Sequence, residues 1–292
     1  MTTTLSSDFV GQELKPLTRR FTWRDTMNYA AAVSDHNPLY FDDERERGII
    51  APPLFSVALT WPLTSNIGAY LKDSAFPREV LLTQVHYTEV IQFFRPLRPD
   101  AFLTIKGRIH AILPHRAGTH VVLRYAAYDR QGRALFTEHI GAMLRGVTCA
   151  DEGRGGSALP NVPEPGKRQA PIWEACVPID AARPFIYDGC TNISFPIHTS
   201  RKFARQVGLP GTILQGTATL AYAARELVNR EADGDPLRLK MLSCRFTNMV
   251  MPGTDMIVRL VDRHRCADGL ETHFVVFNHE GKRAISGGYA LL

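Results

Sequence analysis

Five cysteines in 292 residues (Cys149, Cys176, Cys190, Cys244 and Cys266) are few, scattered and odd in number. None forms a Cys-x-x-Cys pair, so neither a disulfide framework nor a cysteine-based zinc site is expected. A reducing, cytoplasmic setting suits such usage. Long apolar runs are also missing: no stretch approaches the ~20 residues that span a bilayer. The start, Met1-Thr2-Thr3-Thr4-Leu5-Ser6-Ser7-Asp8, has no basic region ahead of an apolar core, so no signal peptide is expected. Lysine and arginine outnumber aspartate and glutamate by 34 to 29, a net charge of +5. They form no tract interleaved with aromatics, which argues against nucleic acid. A small anionic ligand or a simply solvated surface accounts for the excess equally well. The remainder, 45% apolar and 22% charged, is that of a globular protein of one large domain or two ordinary ones.

The chain repeats itself. Asp35-His36-Asn37-Pro38-Leu39-Tyr40 corresponds to Ile193-Ser194-Phe195-Pro196-Ile197-His198. Gly48-Ile49-Ile50-Ala51-Pro52-Pro53 corresponds to Gly211-Thr212-Ile213-Leu214-Gln215-Gly216. Val85-His86-Tyr87-Thr88 pairs with Cys244-Arg245-Phe246-Thr247, and Tyr128-Asp129-Arg130-Gln131-Gly132 with Phe277-Asn278-His279-Glu280-Gly281. Four pairs in one order imply a duplication. Between the halves, glycine and proline crowd residues 148–170 and resist regular structure, so a linker is expected there.

Each half has the same order of elements. Trp23 to Val33 carries apolar positions at helical spacing, the motif loop follows, and a long apolar helix comes next, Leu54 to about Leu71 in one half and Gly216 to about Arg230 in the other. Strands close each half: Thr119–Asp129 with Leu135–Leu144, and Thr272–Asn278 with Arg283–Leu291, each pair joined by a turn whose glycine supplies positive φ. The pattern predicts an α+β fold, duplicated.

Phe195-Pro196-Ile197-His198 presents a histidine on a proline-braced turn, and Gly216 opens an apolar helix soon after. Histidine titrates near neutral pH and suits proton transfer. A helix N-terminus offers free N–H groups to developing negative charge. Adding water to an activated carbonyl compound requires both.

That stretch resembles the MaoC-like (R)-specific enoyl-CoA hydratases and dehydratases, whose motif reads roughly Gly-Asp-x-Asn-Pro-x-His, then Phe-Ala, then a glycine-rich turn and Ile-Val/Leu-His-Gly. His198 matches the motif histidine, Phe203-Ala204 the next element, and Ile213-Leu214-Gln215-Gly216 the segment whose glycine N–H holds the thioester oxygen. Ile193 falls where the catalytic aspartate stands in the family, and Phe195 replaces the asparagine. The first half resembles the fatty-acid-synthase-type N-terminal dehydratase domain of fused forms. The resemblance implies a double hot-dog: an N-terminal hot-dog over 1–147, non-catalytic and accommodating the acyl chain, and a catalytic MaoC-like hot-dog over 171–292. It implies reversible hydration of 2-enoyl-CoA to 3-hydroxyacyl-CoA in fatty acid metabolism. The substrate is acyl-CoA or an acyl carrier protein thioester, with no metal or organic cofactor, no nucleic acid or membrane partner, and a homodimer as a possible assembly.

The two halves have diverged. Tyr40 stands where His198 does, and its pKa near 10 makes it a poor base. Pro53 stands where Gly216 does and has no N–H. The first half is therefore not expected to be the hydration site. Asp35 and Asn37 read as a capped loop, and with Tyr40 and Gln215 they form the candidate substrate-binding set. His198 and Gly216 need an acid partner. Asp188 is the nearest upstream carboxylate, at twice the family spacing, so the chain between must fold back. Asn192 is the other candidate. It orients a water or His198 but accepts no proton. Two other functions remain open. A hot-dog thioesterase would use an acid on the central helix, where Glu226 lies. A non-catalytic acyl-CoA-binding accessory subunit would have lost chemistry with the motif aspartate.

Overall fold

Residues 3–72, 75–166 and 170–292 are described by the computed structural model. Residues 1–2 of the chain's start and 167–169 of the expected linker lie outside the described residues. In chain order the elements are β1 (Thr3–Leu5), β2 (Leu17–Arg20), α1 (Trp23–Ala32), α2 (Pro38–Phe41), α3 (Phe55–Ser65), α4 (Ile67–Tyr70), β3 (Gln84–Phe93), β4 (Phe102–His115), β5 (Gly118–Asp129), β6 (Ala134–Arg145) and β7 (Val147–Cys149). There follow β8 (Trp173–Ile179), α5 (Arg183–Thr191), α6 (Pro196–Thr199), α7 (Arg201–Gln206), α8 (Gly216–Glu231), β9 (Met241–Phe246), β10 (Thr254–Cys266), β11 (Gly269–Phe277) and β12 (Arg283–Leu291). No helix is long and apolar enough to cross a membrane among the described residues.

Two compact units form. One comprises Met1–Arg19, Thr60–Arg95 and Phe102–Val162; the other comprises Arg20–Leu59, Pro96–Ala101 and Pro163–Leu292. In the first, β4, β5, β6 and β3 make an antiparallel sheet in that order. Its strands alternate, and one face buries Leu103, Ile105, Ile109, Tyr125 and Phe136. Thr64 of α3 donates to the Tyr125 hydroxyl at 3.1 Å, which holds that part of the helix over the buried face.

In the second unit, β9, β12, β11, β10 and β8 are antiparallel neighbours. Met256, Val258 and Leu260 of β10 and Phe274 and Val276 of β11 are buried, as period-two alternation requires. α8 is alanine-rich and buried along most of its length, with Leu220, Ala223 and Leu227 fully enclosed. α1 begins with a capping box, Thr22 and Asp25 each accepting the other's backbone N–H.

The duplication is visible bond for bond. α2 and α6 are four-residue helices with proline at their start, and Tyr40 and His198 are each the third residue. Ile50 N–H donates to Leu39 O and Ile213 N–H to Ile197 O. Ala51 N–H donates to Leu97 O and Leu214 N–H to Val250 O. Both hairpin turns use Gly132 and Gly281 at φ 74° and 71°, and in both the side chain of Asp129 or Asn278 accepts from the residue two further on.

Two expectations need correction. The helix expected from Leu54 to Leu71 is two helices, because Asn66 leaves helical geometry at φ −130°, ψ 39°. Thr64-Ser65-Asn66 is a run of weak helix formers whose side chains compete for backbone bonds. Nor is the 148–170 segment wholly irregular. β7 pairs in parallel with β1, Leu5 against Cys149, and residues Gly156–Ala158 form a 3₁₀ turn entered through Gly155 at φ 87°.

Candidate functional site

α6 holds His198 half-buried on its last turn. Pro196 presets the first helical φ, and the His198 N–H closes the turn onto Phe195 O. Its Nδ1 lies 2.9 Å from Ile213 O. A carbonyl only accepts, so Nδ1 carries the hydrogen and Nε2 keeps its lone pair. Desolvation lowers the imidazole pKa, while the Ile213 bond and the charge of Asp188 oppose that shift. The imidazole is thus held in one tautomer, with burial favouring its neutral form. Ser200 caps α7 by accepting the Phe203 N–H, and Ala204 is fully buried; these contacts fix the far side of the turn.

Asp188 sits in α5, whose C-terminal residue is followed by Asn192 in the left-handed region at φ 58°. That residue reverses the chain, and Asp188 returns to within electrostatic reach of His198. The enclosed Asp188 Oδ2 has no hydrogen-bond partner among the described residues. Asn192 is exposed, and its N–H donates to Asp188 O. It shapes the reversal with its backbone, while its side chain makes no hydrogen bond among the described residues.

Gly216 is the first residue of α8, so its N–H has no carbonyl four residues back inside the helix. A Cβ there would meet the Phe246 ring at 3.3 Å, which is why a glycine fits. Gln215 is 1% exposed and donates through Nε2 to Pro184 O at 2.9 Å. It ties the start of α8 to the start of α5. A second tie is a buried hydroxyl chain. Tyr187 donates to Thr217 at 3.1 Å, and Tyr29 and Tyr187 hydroxyls lie 3.0 Å apart. With the Tyr187 hydrogen committed, Tyr29 is the donor to it. These two ties hold the helix carrying Asp188 beside the helix that opens on Gly216.

The first-half loop is built differently. Asp35 accepts the Asn37 N–H, Asn37 Oδ1 accepts the Leu39 N–H, and Asn37 Nδ2 donates to Gly234 O at 2.6 Å. Burial raises the Asp35 carboxyl pKa, with the Asn37 bond and Arg225 opposing. Tyr40 is 1% exposed, packed with Ala30 and Ile50, and burial pushes its hydroxyl pKa well up. Asp35, Tyr40, Pro53 and Arg225 border a cavity of about 20 Å³, room for about one water.

Glu226 is not a free base. Its Oε1 accepts two hydrogen bonds from Arg225, and its Oε2 accepts one from Arg230. Arg225 also donates to Val33 O and Ser34 O. The acid that a thioesterase would place on this helix is committed to arginines. Sequence reasoning missed the Ile213 carbonyl and the tyrosine–threonine chain. A backbone acceptor leaves no side-chain signature, and Tyr29 lies far from the motif in sequence.

A histidine turn before a glycine-opened helix, on a duplicated helix-and-sheet frame, defines a double hot-dog of the kind seen in solved structures. Residues 168–280 match the MaoC like domain, and residues 8–138 match the FAS1-like dehydratase domain region. Each match covers one half of the chain, and the fold is that of the double hot-dog structures. It is similar to the MaoC-like dehydratase of Phytophthora capsici, at 22% identity and TM-score 0.82, covering 97% of this chain and 96% of that one. It is 23% identical over 277 residues to the peroxisomal multifunctional enzyme type 2 of Drosophila melanogaster, covering 92% of this chain and 45% of the relative. The chain therefore spans less than half of that relative. Against the peroxisomal enoyl-CoA hydratase 2 of Arabidopsis thaliana it is 23% identical over 214 residues, 70% of this chain and 67% of the relative.

Proposed function

We propose that the chain catalyses reversible addition of water to a 2-enoyl thioester, giving the 3-hydroxyacyl thioester. The observation that carries this is the His198 turn: Nδ1 tied to Ile213 O, Nε2 free as a base, and the acid Asp188 within electrostatic reach. The matches to MaoC-like and FAS1-like dehydratase regions, and to a relative named enoyl-CoA hydratase, support the same reading.

In the reaction, the Gly216 N–H polarises the thioester carbonyl and takes up the enolate charge. His198 Nε2 removes a proton from water as its oxygen bonds to the β-carbon. The proton taken by His198 returns, through a water held by the Asp188 carboxylate, to the α-carbon, so one water is added across the double bond and the imidazole ends neutral. Asn192 orients the reversal between the two. Acyl-CoA is the assigned substrate, with an acyl carrier protein thioester as the variant the FAS1-like region suggests. Asp35, Asn37 and Tyr40 keep the first-half loop in shape, and that half is assigned the acyl tail.

Purified protein with crotonyl-CoA should consume the enoyl absorbance, and with acetyl-CoA should release no thiol. His198→Ala should lower turnover about a hundredfold or more with a melting temperature near that of the wild type. Thiol release without hydration, or an unchanged rate in His198→Ala, overturns the reading.

A further inference from the structure

The sheet of the second unit carries a cluster on the face away from α8. Thr272, Phe274 and Val276 of β11 point into the core and are buried, so Glu271 and His273 project to the other face. Across the ladder, His264 of β10 stands opposite Glu271, and Tyr289 of β12 stands opposite His273. One donor atom each from His264, Glu271 and His273 lies within 4.8 Å of the others. His264 Nε2 is 2.6 Å from Glu271 Oε2, and the Tyr289 hydroxyl donates to Glu271 Oε1 at 3.2 Å.

His273 is the informative member. It is 3% exposed, yet its Nε2 has no hydrogen-bond partner among the described residues. Buried polar atoms are ordinarily paired. An enclosed imidazole whose Nε2 meets no partner, beside a second imidazole and a carboxylate, has the donor arrangement of a metal ligand. Ahead of β8, the Gly166 N–H is bonded to Asp262 Oδ2 at 2.7 Å, and Asp262 stands opposite His273 in the ladder.

We propose that His264, Glu271 and His273 form a binding site for a divalent transition-metal ion, zinc in the first instance. Two imidazoles and a carboxylate are a donor set that zinc takes at about 2.0–2.2 Å, and hard cations prefer all-oxygen sets. Ligation at about 2.0–2.2 Å requires the three donors to close in from a spacing of up to 4.8 Å. The half-exposed His264 leaves the fourth position to water. Tyr289 orients the carboxylate from outside, as outer partners of metal ligands do. The ion would clamp β10 to β11 and takes no part in the chemistry at His198, so this inference stands independently of the proposed activity.

The test uses the full chain, stripped with chelator, dialysed against micromolar zinc and assayed by elemental analysis and by competition with a chromogenic chelator. Wild type should retain about one zinc per chain against millimolar magnesium or calcium, and zinc should raise its melting temperature. His264→Ala, whose residue is exposed enough to spare the fold, should lose that zinc and the melting shift. Glu271→Gln should lose them too, and Tyr289→Phe should weaken binding about tenfold or more. His198→Ala should bind like wild type. Zinc retained equally by wild type and His264→Ala would be an adventitious ion only and would overturn the proposal, as would absence of zinc from the wild type. Apo melting curves of each variant separate lost binding from lost fold.

Discussion

His198 combines three local conditions: a proline-started turn, a carbonyl that fixes its tautomer, and a carboxylate that charges its surroundings. The third makes a signed prediction. The Asp188 charge raises the His198 pKa against desolvation, so Asp188→Asn should lower that pKa further. A base works only when neutral, so turnover falls on the acid side as pH drops through its pKa. In Asp188→Asn the acid limb should move to lower pH, and the plateau rate should fall at least tenfold. A limb that stays put would show that Asp188 does not face the imidazole. Gly216→Ala tests the other side of the site. The N–H remains, but the added Cβ meets the Phe246 ring at 3.3 Å, and a shift of a few tenths of an ångström tilts the donor. Turnover should drop about tenfold while the melting temperature changes little; an unchanged rate would remove Gly216 from the oxyanion role. The turn that carries His198 and the helix start at Gly216 were legible in the sequence, because proline and glycine punctuate the chain at those points. Asp188 was legible only as a candidate, since its return depends on one left-handed residue, Asn192, and the Ile213 carbonyl was not legible at all.

Among the elements, β3 and β6 carry a burden their alternation did not advertise. Glu89 and Glu138 are both fully buried on adjacent strands. Desolvation pushes both carboxyl pKa values well up, and for Glu138 the charge of Glu89 adds to it while a Thr60 hydrogen bond opposes it. His86 Nε2 lies 3.1 Å from Glu89, but burial drops its pKa to about 4, so it brings no charge near neutrality. A carboxyl whose folded pKa is raised contributes its full stability below the unfolded value of about 4.3 and loses it as pH rises toward the folded value. Glu138→Gln removes that proton linkage and keeps the shape. Its melting temperature should therefore gain on the wild type as pH goes from 5 to 8, by about 2–4 °C for each kcal/mol recovered. A difference that is flat or shrinks with pH would mean the group is charged or solvated in the fold. Helices α1 and α8 and the hairpins β5–β6 and β11–β12 followed from periodicity and turn glycines. The break at Asn66 and the short strand β7 did not, because one depends on side-chain competition with the backbone and the other on pairing with a distant strand.

At the scale of the molecule, the sequence suggests two halves cut at the linker, and the chain folds into units that do not respect that cut. Arg20–Leu59 and Pro96–Ala101 belong with Pro163–Leu292. The duplication was readable because it lies in order along the chain; the exchange of a forty-residue segment was not, since only tertiary contacts record it. The contacts are specific. Arg183 donates to Ala32 O, Arg225 to Val33 O and Ser34 O, Asn37 to Gly234 O, and Tyr29 to Tyr187. A fragment of residues 171–292 would keep His198, Asp188 and Gly216 but strip these partners from both arginines and from the tyrosine beside Thr217. The α5 surface that packs on α1, with its Tyr187 ring against Tyr29, would face water, and an exposed apolar face favours association. The fragment should therefore be insoluble or self-associated and should hydrate crotonyl-CoA at under about 1% of the full-chain rate. Adding residues 1–147 by co-expression should restore solubility and part of the rate, and a fragment of 171–292 alone that is monomeric and fully active would show that the Arg20–Leu59 contacts are dispensable.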